Sequence, residues 1–183
     1  MPSSPAHVFW LFGLSGAGKS TLADSLIGAL RSQGIPVLAL DGDTLRVGLS
    51  RGLGFSDADR AENLRRAAEA AQLGANSGLC VVASFITPLE SHRQLVTEIL
   101  GAKNLSLIHV SAPLEVCRAR DTKGLYARAE AGQVPQMTGV SSAFEAPRRA
   151  DLVVHTDLEN VAASTGHLLE FARARLPRRR ALA

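Results

Sequence analysis

Apolar stretches alternate with amphipathic ones along this chain. Five apolar stretches are nearly continuous, which is typical of strands that helices cover on both faces and therefore of a parallel sheet. We predict strands at 7–12, 35–40, 79–84, 105–110 and 152–155, and helices at 19–33, about 57–77, 88–101, 113–120 and 158–175. This alternation predicts an α/β fold, a three-layer α/β/α sandwich with a mostly parallel five-stranded sheet.

Four residues mark expected helix ends. Asp57 has a side chain suited to capping the start of the second helix, and Gly78 can end that helix. Pro88 and Pro113 stand where first-turn prolines are expected. The boundaries of the middle helices are therefore predicted with a physical reason.

The composition is that of a soluble globular chain. The 183 residues are 46% hydrophobic and 20% charged, so we expect a single domain over 1–183. No apolar stretch approaches the ~20 residues that span a bilayer, and the N-terminus shows no secretion signal. Cys80 and Cys117 are interpreted as core thiols, so a reducing, cytoplasmic location is expected.

The net charge of +3 is unevenly placed, because a basic tail at about 173–183 carries five arginines. A solvated helix end is the plainer interpretation of this tail, and a nucleic-acid or partner contact is the alternative. We therefore expect no nucleic-acid partner and no membrane contact.

A glycine-rich motif joins the first predicted strand to the first predicted helix. Residues 13–20 form the pattern G-x-x-x-x-G-K-S. Glycines let backbone N–H groups turn inward around an anion, and the positive end of the following helix dipole points to the same place. Lys19 adds a charge for the β and γ phosphates of a nucleotide, and Ser20 adds a hydroxyl for Mg²⁺. A chance glycine turn is the alternative, but pattern and context agree on a P-loop.

A second cluster of charges directly follows the second predicted strand. Asp41, Asp43 and Arg46 should project toward the P-loop, because ligands of open α/β sheets bind beyond the carboxyl ends of the strands. One carboxylate can hold Mg²⁺ through water, the other can take a proton from an acceptor hydroxyl, and Arg46 can grip an anionic acceptor. The alternative is a capped turn with a surface ion pair.

An aromatic residue and two polar ones follow in the next helix. Arg60 and Asn63 are three residues apart and share a helix face near Phe55. This set suits an anionic ligand with a flat ring. A core Phe55 beside exposed polar residues is an equal interpretation of the spacing.

The stretch 121–149 interrupts the strand–helix alternation. It carries glycines, prolines and charges without a long apolar run. A segment of this length inside a compact domain is usually functional or disordered. Beside a P-loop we expect it to be a lid that closes over the nucleotide.

Together these motifs resemble the adenylyl-sulfate kinase (APS kinase) family. The resemblance runs in order over about residues 8–157, and its more specific blocks are D-G-D-x-x-R from Asp41, D-R-x-E-N from Asp59 and K-G-L-Y from Lys123. It implies a P-loop kinase that moves the γ-phosphate of ATP to the 3′-hydroxyl of adenosine 5′-phosphosulfate (APS), giving PAPS and ADP. It leaves a homodimer and a sulfurylase partner open.

The resemblance also implies roles by position. Asp43 would be the general base, with Asp41 near the metal, and Phe55 would stack on the substrate adenine. The implied sets are catalytic Asp43, Lys19 and Lys123; ATP-binding Gly13, Leu14, Ser15, Gly16, Ala17, Gly18, Lys19, Ser20, Thr21 and Arg120; substrate-binding Asp41, Arg46, Phe55, Arg60, Asn63, Ile86, Thr87, Lys123 and Leu125; and Mg²⁺-binding Ser20 and Asp41.

The sequence departs from the family pattern on the acceptor and lid side. Thr87 stands where the family has serine, Glu90 where it commonly has arginine, and Met137 where it has an aromatic residue. Two alternatives to an APS kinase therefore stay open: a kinase of the same build acting on another small hydroxyl compound, and a nucleotide-binding module without turnover.

Overall fold

The computed structural model describes residues 6–176. Its five-stranded sheet has the order β2-β3-β1-β4-β5, and every neighbouring pair is parallel. The strands are β1 (Val8–Phe12), β2 (Val37–Asp41), β3 (Cys80–Phe85), β4 (Leu105–Ser111) and β5 (Leu152–His155). The predicted fold class is thereby confirmed.

Seven helices are found within the described residues. They are α1 (Lys19–Ser32), α2 (Gly42–Val47), α3 (Asp57–Asn76), α4 (Glu90–Leu100), α5 (Leu114–Arg120), α6 (Leu125–Glu130) and α7 (Val161–Arg175). Helices α1 and α7 pack together on one face of the sheet, and α3 and α4 pack together on the other. No helix within 6–176 is both long enough and apolar enough to cross a membrane.

The central strand β1 supplies both cores. Because successive side chains of a strand point to opposite faces, Phe9 and Leu11 join the core under α1 and α7, whereas Val8, Trp10 and Phe12 join the core under α3 and α4. All five side chains are buried. The apolar run is continuous because both faces of β1 are buried, as the sequence predicted.

Several predicted boundaries were wrong by one to three residues, and α2 and α6 were not predicted. Ser56, not Asp57, caps α3, because its hydroxyl accepts a hydrogen bond from the Asp59 N–H. Pro113 occupies the cap position of α5, and Pro88 precedes the cap of α4, so neither proline lies inside a first turn. Gly78 follows α3 with a φ of 84°, as expected of a residue that ends a helix.

Both cysteines are buried and free, in agreement with the prediction of core thiols. Burial raises the pKa of Cys80 to about 12, so that thiol stays protonated. The basic tail was predicted at about 173–183, and its residues 177–183 lie outside the described part of the chain.

Candidate active site

A cavity of about 810 Å³ opens at the carboxyl ends of the strands. Its walls come from the P-loop, the turn after β2, the start of α3, the end of β3 and the segment 121–149. Of the sequence-predicted site residues, the following line it: Ser15, Gly16, Gly18, Lys19, Ser20, Thr21, Asp41, Asp43, Arg46, Phe55, Arg60, Asn63, Ile86, Thr87, Arg120, Lys123 and Leu125. Gly13, Leu14 and Ala17 lie in the P-loop behind this lining.

The P-loop bends because its glycines adopt backbone angles that other residues avoid. Gly16 and Gly18 have φ of 76° and 97°. A Cβ on Gly16 would also lie 2.8 Å from the Cys117 carbonyl oxygen, so the loop packs closely against the backbone of α5. At its centre, Lys19 Nζ donates to the Leu14 carbonyl oxygen over 2.8 Å.

Lys19 is buried at the start of α1. Burial, reinforced by the neighbouring Lys123 ammonium, lowers its pKa from 10.5 to about 8. A phosphate group in the loop would stabilise the charged form. The site is therefore poised to accept anions.

The two acids after β2 have different environments. Asp41 Oδ1 accepts hydrogen bonds from the backbone N–H groups of Asp43 and Thr44, which caps α2. Asp43 extends from the first turn of α2, and its Oδ2 accepts a hydrogen bond from Lys123 Nζ. The capped turn and the surface ion pair, which the sequence offered as an alternative to a site, are both present, and both lie in the wall of the cavity.

Phe55 is exposed, whereas its polar neighbours are packed around it. The ring is 55% exposed, and the Arg46 and Arg60 guanidinium carbons lie 4.4 and 5.6 Å from its centroid. Arg46 Nη1 also donates to the Gly54 carbonyl oxygen, over 2.7 Å. Arg60 and Asn63 are buried. The interpretation of Phe55 as a core residue beside exposed polar groups was wrong.

Two buried polar atoms in the cavity wall have no hydrogen-bond partner among residues 6–176. They are Asn63 Oδ1 and Thr138 Oγ1. Buried polar atoms are seldom left unpaired, since each costs free energy comparable to a lost hydrogen bond. A polar group or water that reached either atom would satisfy it.

The segment 121–149 lies over the P-loop and makes specific contacts with its surroundings. The Tyr126 hydroxyl donates to the Ser15 carbonyl oxygen over 2.9 Å. A Cβ on Gly139 would be 3.0 Å from the Leu14 side chain. Arg60 Nη2 donates to the Gln136 carbonyl oxygen, which joins α3 to this segment on the opposite side of the cavity.

Arg120 supports the P-loop backbone from outside. Its guanidinium donates to the Gly16 carbonyl oxygen and to both the carbonyl and hydroxyl oxygens of Thr156, and the Thr156 hydroxyl donates to the Ala17 carbonyl oxygen. This arrangement places Arg120 beside the loop in which phosphates are expected to bind.

Comparison with known proteins decides the family. The family model described as Adenylylsulphate kinase matches residues 5–155. The chain belongs to the adenylyl-sulfate kinase family. The adenylyl-sulfate kinase of Paraburkholderia xenovorans is 48% identical over 169 residues, which cover 92% of this chain and 94% of that protein.

Solved APS kinases share the fold. The Mycobacterium tuberculosis APS kinase, in complex with AMPPNP and APS, has a TM-score of 0.89 and 37% sequence identity, covering 93% of this chain and 99% of that one. The hexameric APS kinase from Thiobacillus denitrificans has a TM-score of 0.70 and 27% identity, covering 93% of this chain and 29% of that one.

Two departures from the APS kinase pattern have different structural meanings. The Glu90 carboxylate accepts a hydrogen bond from Arg93 Nε over 2.9 Å, and Glu90 lies outside the cavity lining. The negative charge of Glu90, where the family commonly has arginine, therefore pairs with Arg93 and does not face the cavity. Met137 is buried in the cavity wall, so the loss of an aromatic residue there does affect the space available to a ligand.

The sequence analysis missed Thr156 and Thr138 in the cavity wall. Thr156 directly follows β5, and the rule that selected Asp41 at the end of β2 would have selected it too. Thr138 gave no such signal, because it lies in an irregular segment whose path the sequence pattern does not predict.

Proposed function

We propose that this protein is an ATP-dependent adenylyl-sulfate kinase, a transferase that phosphorylates the 3′-hydroxyl of APS to give PAPS and ADP. The observation that carries the proposal is one cavity that joins the P-loop to the acids after β2 and to the Phe55, Arg60 and Asn63 wall. Family membership supports the same activity.

The two ends of the cavity are assigned to the two substrates. The P-loop end, with Lys19 and Arg120, would bind the ATP phosphates. The opposite end would bind APS, with Phe55 stacking on the adenine and with Arg46, Arg60 and Asn63 contacting the ribose and phosphosulfate. Since phosphoryl transfer depends mainly on positioning and charge neutralisation, this set of side chains suits the reaction.

Asp43 is the proposed general base at the ribose hydroxyl. Its carboxylate extends from the first turn of α2 into the cavity wall, opposite the P-loop lysine. Lys123 donates a hydrogen bond to it from the segment 121–149. When substrates bind, Lys123 would move to the transferred phosphate and free Asp43 to accept the proton.

The donor groups near the P-loop fit Mg²⁺ bound mainly through phosphates and water. Within 6–176 no cluster of three or more His, Cys, Asp or Glu side chains is suited to a metal ion. Mg²⁺ in nucleotide sites typically takes one or two protein groups, and Ser20 and Asp41 are the proposed ones. The ion would neutralise charge on the phosphates.

An assay of ADP release over a panel of acceptors tests the function. APS should give turnover far above that with water, and PAPS should be the product. Rapid turnover of another small hydroxyl compound, with none on APS, would support the alternative kinase instead; the buried Met137 in the cavity wall is the observation that keeps this candidate open. Nucleotide binding without turnover of any acceptor would identify a binding module.

The wider context of the protein stays a prediction. A single domain over 1–183, a cytoplasmic location, a homodimer and a sulfurylase partner were inferred from sequence or resemblance. Size measurement of the purified protein, alone and with a sulfurylase, would test the last two.

A further inference from the structure

Thr87 has an unusual backbone conformation for its residue type. Its φ is 44°, and among residues 6–176 it is the only non-glycine residue whose φ lies in the left-handed region. For a β-branched residue this conformation is strained and persists only where the surroundings enforce it. Thr87 lies in the acceptor-side wall with Ile86 and Pro88.

The groups that enforce this conformation lie behind the wall. Trp10 Nε1 donates to Thr87 Oγ1 over 2.9 Å. Arg93 Nη1 donates to the carbonyl oxygens of Thr87 and Pro88, over 3.1 and 3.2 Å. Arg93 is 1% exposed and its guanidinium lies 5.4 Å from the Phe12 ring centroid, so its position is fixed from several directions.

Arg93 also connects this wall to the far end of the lid segment. Its Nη2 donates to the Glu145 carbonyl oxygen over 3.2 Å. The Glu145 N–H donates to the Pro88 carbonyl oxygen, and the Glu145 carboxylate accepts from the Glu90 N–H at the start of α4. Glu90 in turn balances the charge of Arg93. A single buried guanidinium therefore bonds both the acceptor wall and the segment that bounds the cavity.

We propose that Arg93 is a positioning residue for the acceptor substrate: it holds the strained Thr87 and fixes residues 86–88 relative to Glu145. This inference rests on the proposed function, because it names APS as the substrate whose binding depends on Arg93.

The test compares Arg93→Lys with Arg31→Lys. Lysine keeps the positive charge opposite Glu90 but loses the planar fork that reaches three carbonyl oxygens. Arg31 is a matched control, because it lies outside the cavity lining and donates to the Val37 carbonyl oxygen from the last turn of α1. We expect Arg93→Lys to raise the KM and the Kd for APS about 10-fold, with the KM for ATP almost unchanged, and Arg31→Lys to change neither.

Equal effects on both substrates, or none, would overturn the proposal. Should Arg93→Lys fail to fold, Glu90→Ala decides, since it removes one partner of Arg93 from the surface side and should raise the KM for APS about 3-fold without changing that for ATP. Calorimetric measurement of the Kd for APS distinguishes failure of the Arg93 proposal from failure of the proposed kinase function. A wild-type protein that binds APS but forms no PAPS rejects the proposed function and still allows the affinities of the variants to be compared.

Discussion

Lys123 donates a hydrogen bond from Nζ to Asp43 Oδ2, which joins the predicted lid segment to the first turn of α2. Both side chains are exposed, so water weakens the pair and a phosphate group can compete for Lys123. Under the proposed function, this pair would have to open before Asp43 could act as a base.

Asp43→Ala should lower kcat by on the order of 10² or more, because the ribose hydroxyl would lose its base. The KM for ATP should change little. Steady-state kinetics with APS would measure both values, with Asp24→Ala as a control because Asp24 is an exposed acid of α1 outside the cavity lining. An unchanged kcat would remove Asp43 from the mechanism.

Arg46→Ala should mainly raise the KM for APS. The guanidinium lies over Phe55 and at the Gly54 carbonyl oxygen, at the end of the cavity assigned to the acceptor. Initial rates at varied APS and at varied ATP would separate the two substrates. A defect confined to ATP would contradict the assignment of this end of the cavity.

Phe55→Ala should raise the KM for APS by about 10-fold, since stacking of a base on an aromatic ring contributes roughly 1–3 kcal/mol. Because the ring is 55% exposed, thermal stability should stay nearly constant. Leu73→Ala is the matched control, as Leu73 is 69% exposed on α3 and lies outside the cavity lining. Equal kinetics for the two variants would exclude stacking on Phe55.

Nucleotide binding should take up protons near pH 8. The pKa of Lys19 is lowered to about 8, and the phosphates of ADP would stabilise its charged form and so raise that pKa. Lys19 should contribute an uptake of about half a proton near pH 8 and none near pH ~6, where it is already charged. Affinity should consequently fall as the pH rises above 8. Calorimetry in buffers of different ionisation enthalpy measures this; uptake that is the same at both pH values would refute the role of Lys19.

Gly16→Ala should destabilise the protein by at least ~1–2 kcal/mol, since φ at this position is 76° and the new Cβ would lie 2.8 Å from the Cys117 carbonyl oxygen. Gly28→Ala is the control, because Gly28 lies in α1 with nothing within 4 Å of the added carbon; it should stabilise the protein by up to ~1 kcal/mol. Chemical denaturation measures both, and equal stability of the two variants would contradict the packing argument.

The strands and the longer helices were predictable, whereas the two six-residue helices were not. The five strands and α1, α3 and α4 were found with shifts of one or two residues at most ends, because burial on a sheet or helix face imposes a period that the sequence must carry. Helices α2 and α6 span six residues each. Six residues are too few for a helical period, so caps and neighbouring contacts decide such helices.

Some residues of the candidate site could likewise be predicted from the sequence, and others could not. Lys19, Asp41 and Asp43 were predictable because each lies at a fixed offset from a strand end, and parallel strands bring those ends together. The sequence did not indicate that Arg93 is buried, because an arginine in an amphipathic helix is ordinarily exposed. Only the packing of α4 against Phe12 and Glu145 reveals that it is buried.

The amino-acid sequence by itself determined the sheet, the P-loop and the acids that face it, since local periodicity and glycine backbone freedom act over a few residues. The tertiary structure decided which groups meet across long separations: Lys123 with Asp43, Arg60 with Gln136, and Arg93 with Glu145. These contacts depend on the path of an irregular segment over the sheet edge. That path is set by many weak contacts acting together, and no local pattern encodes it.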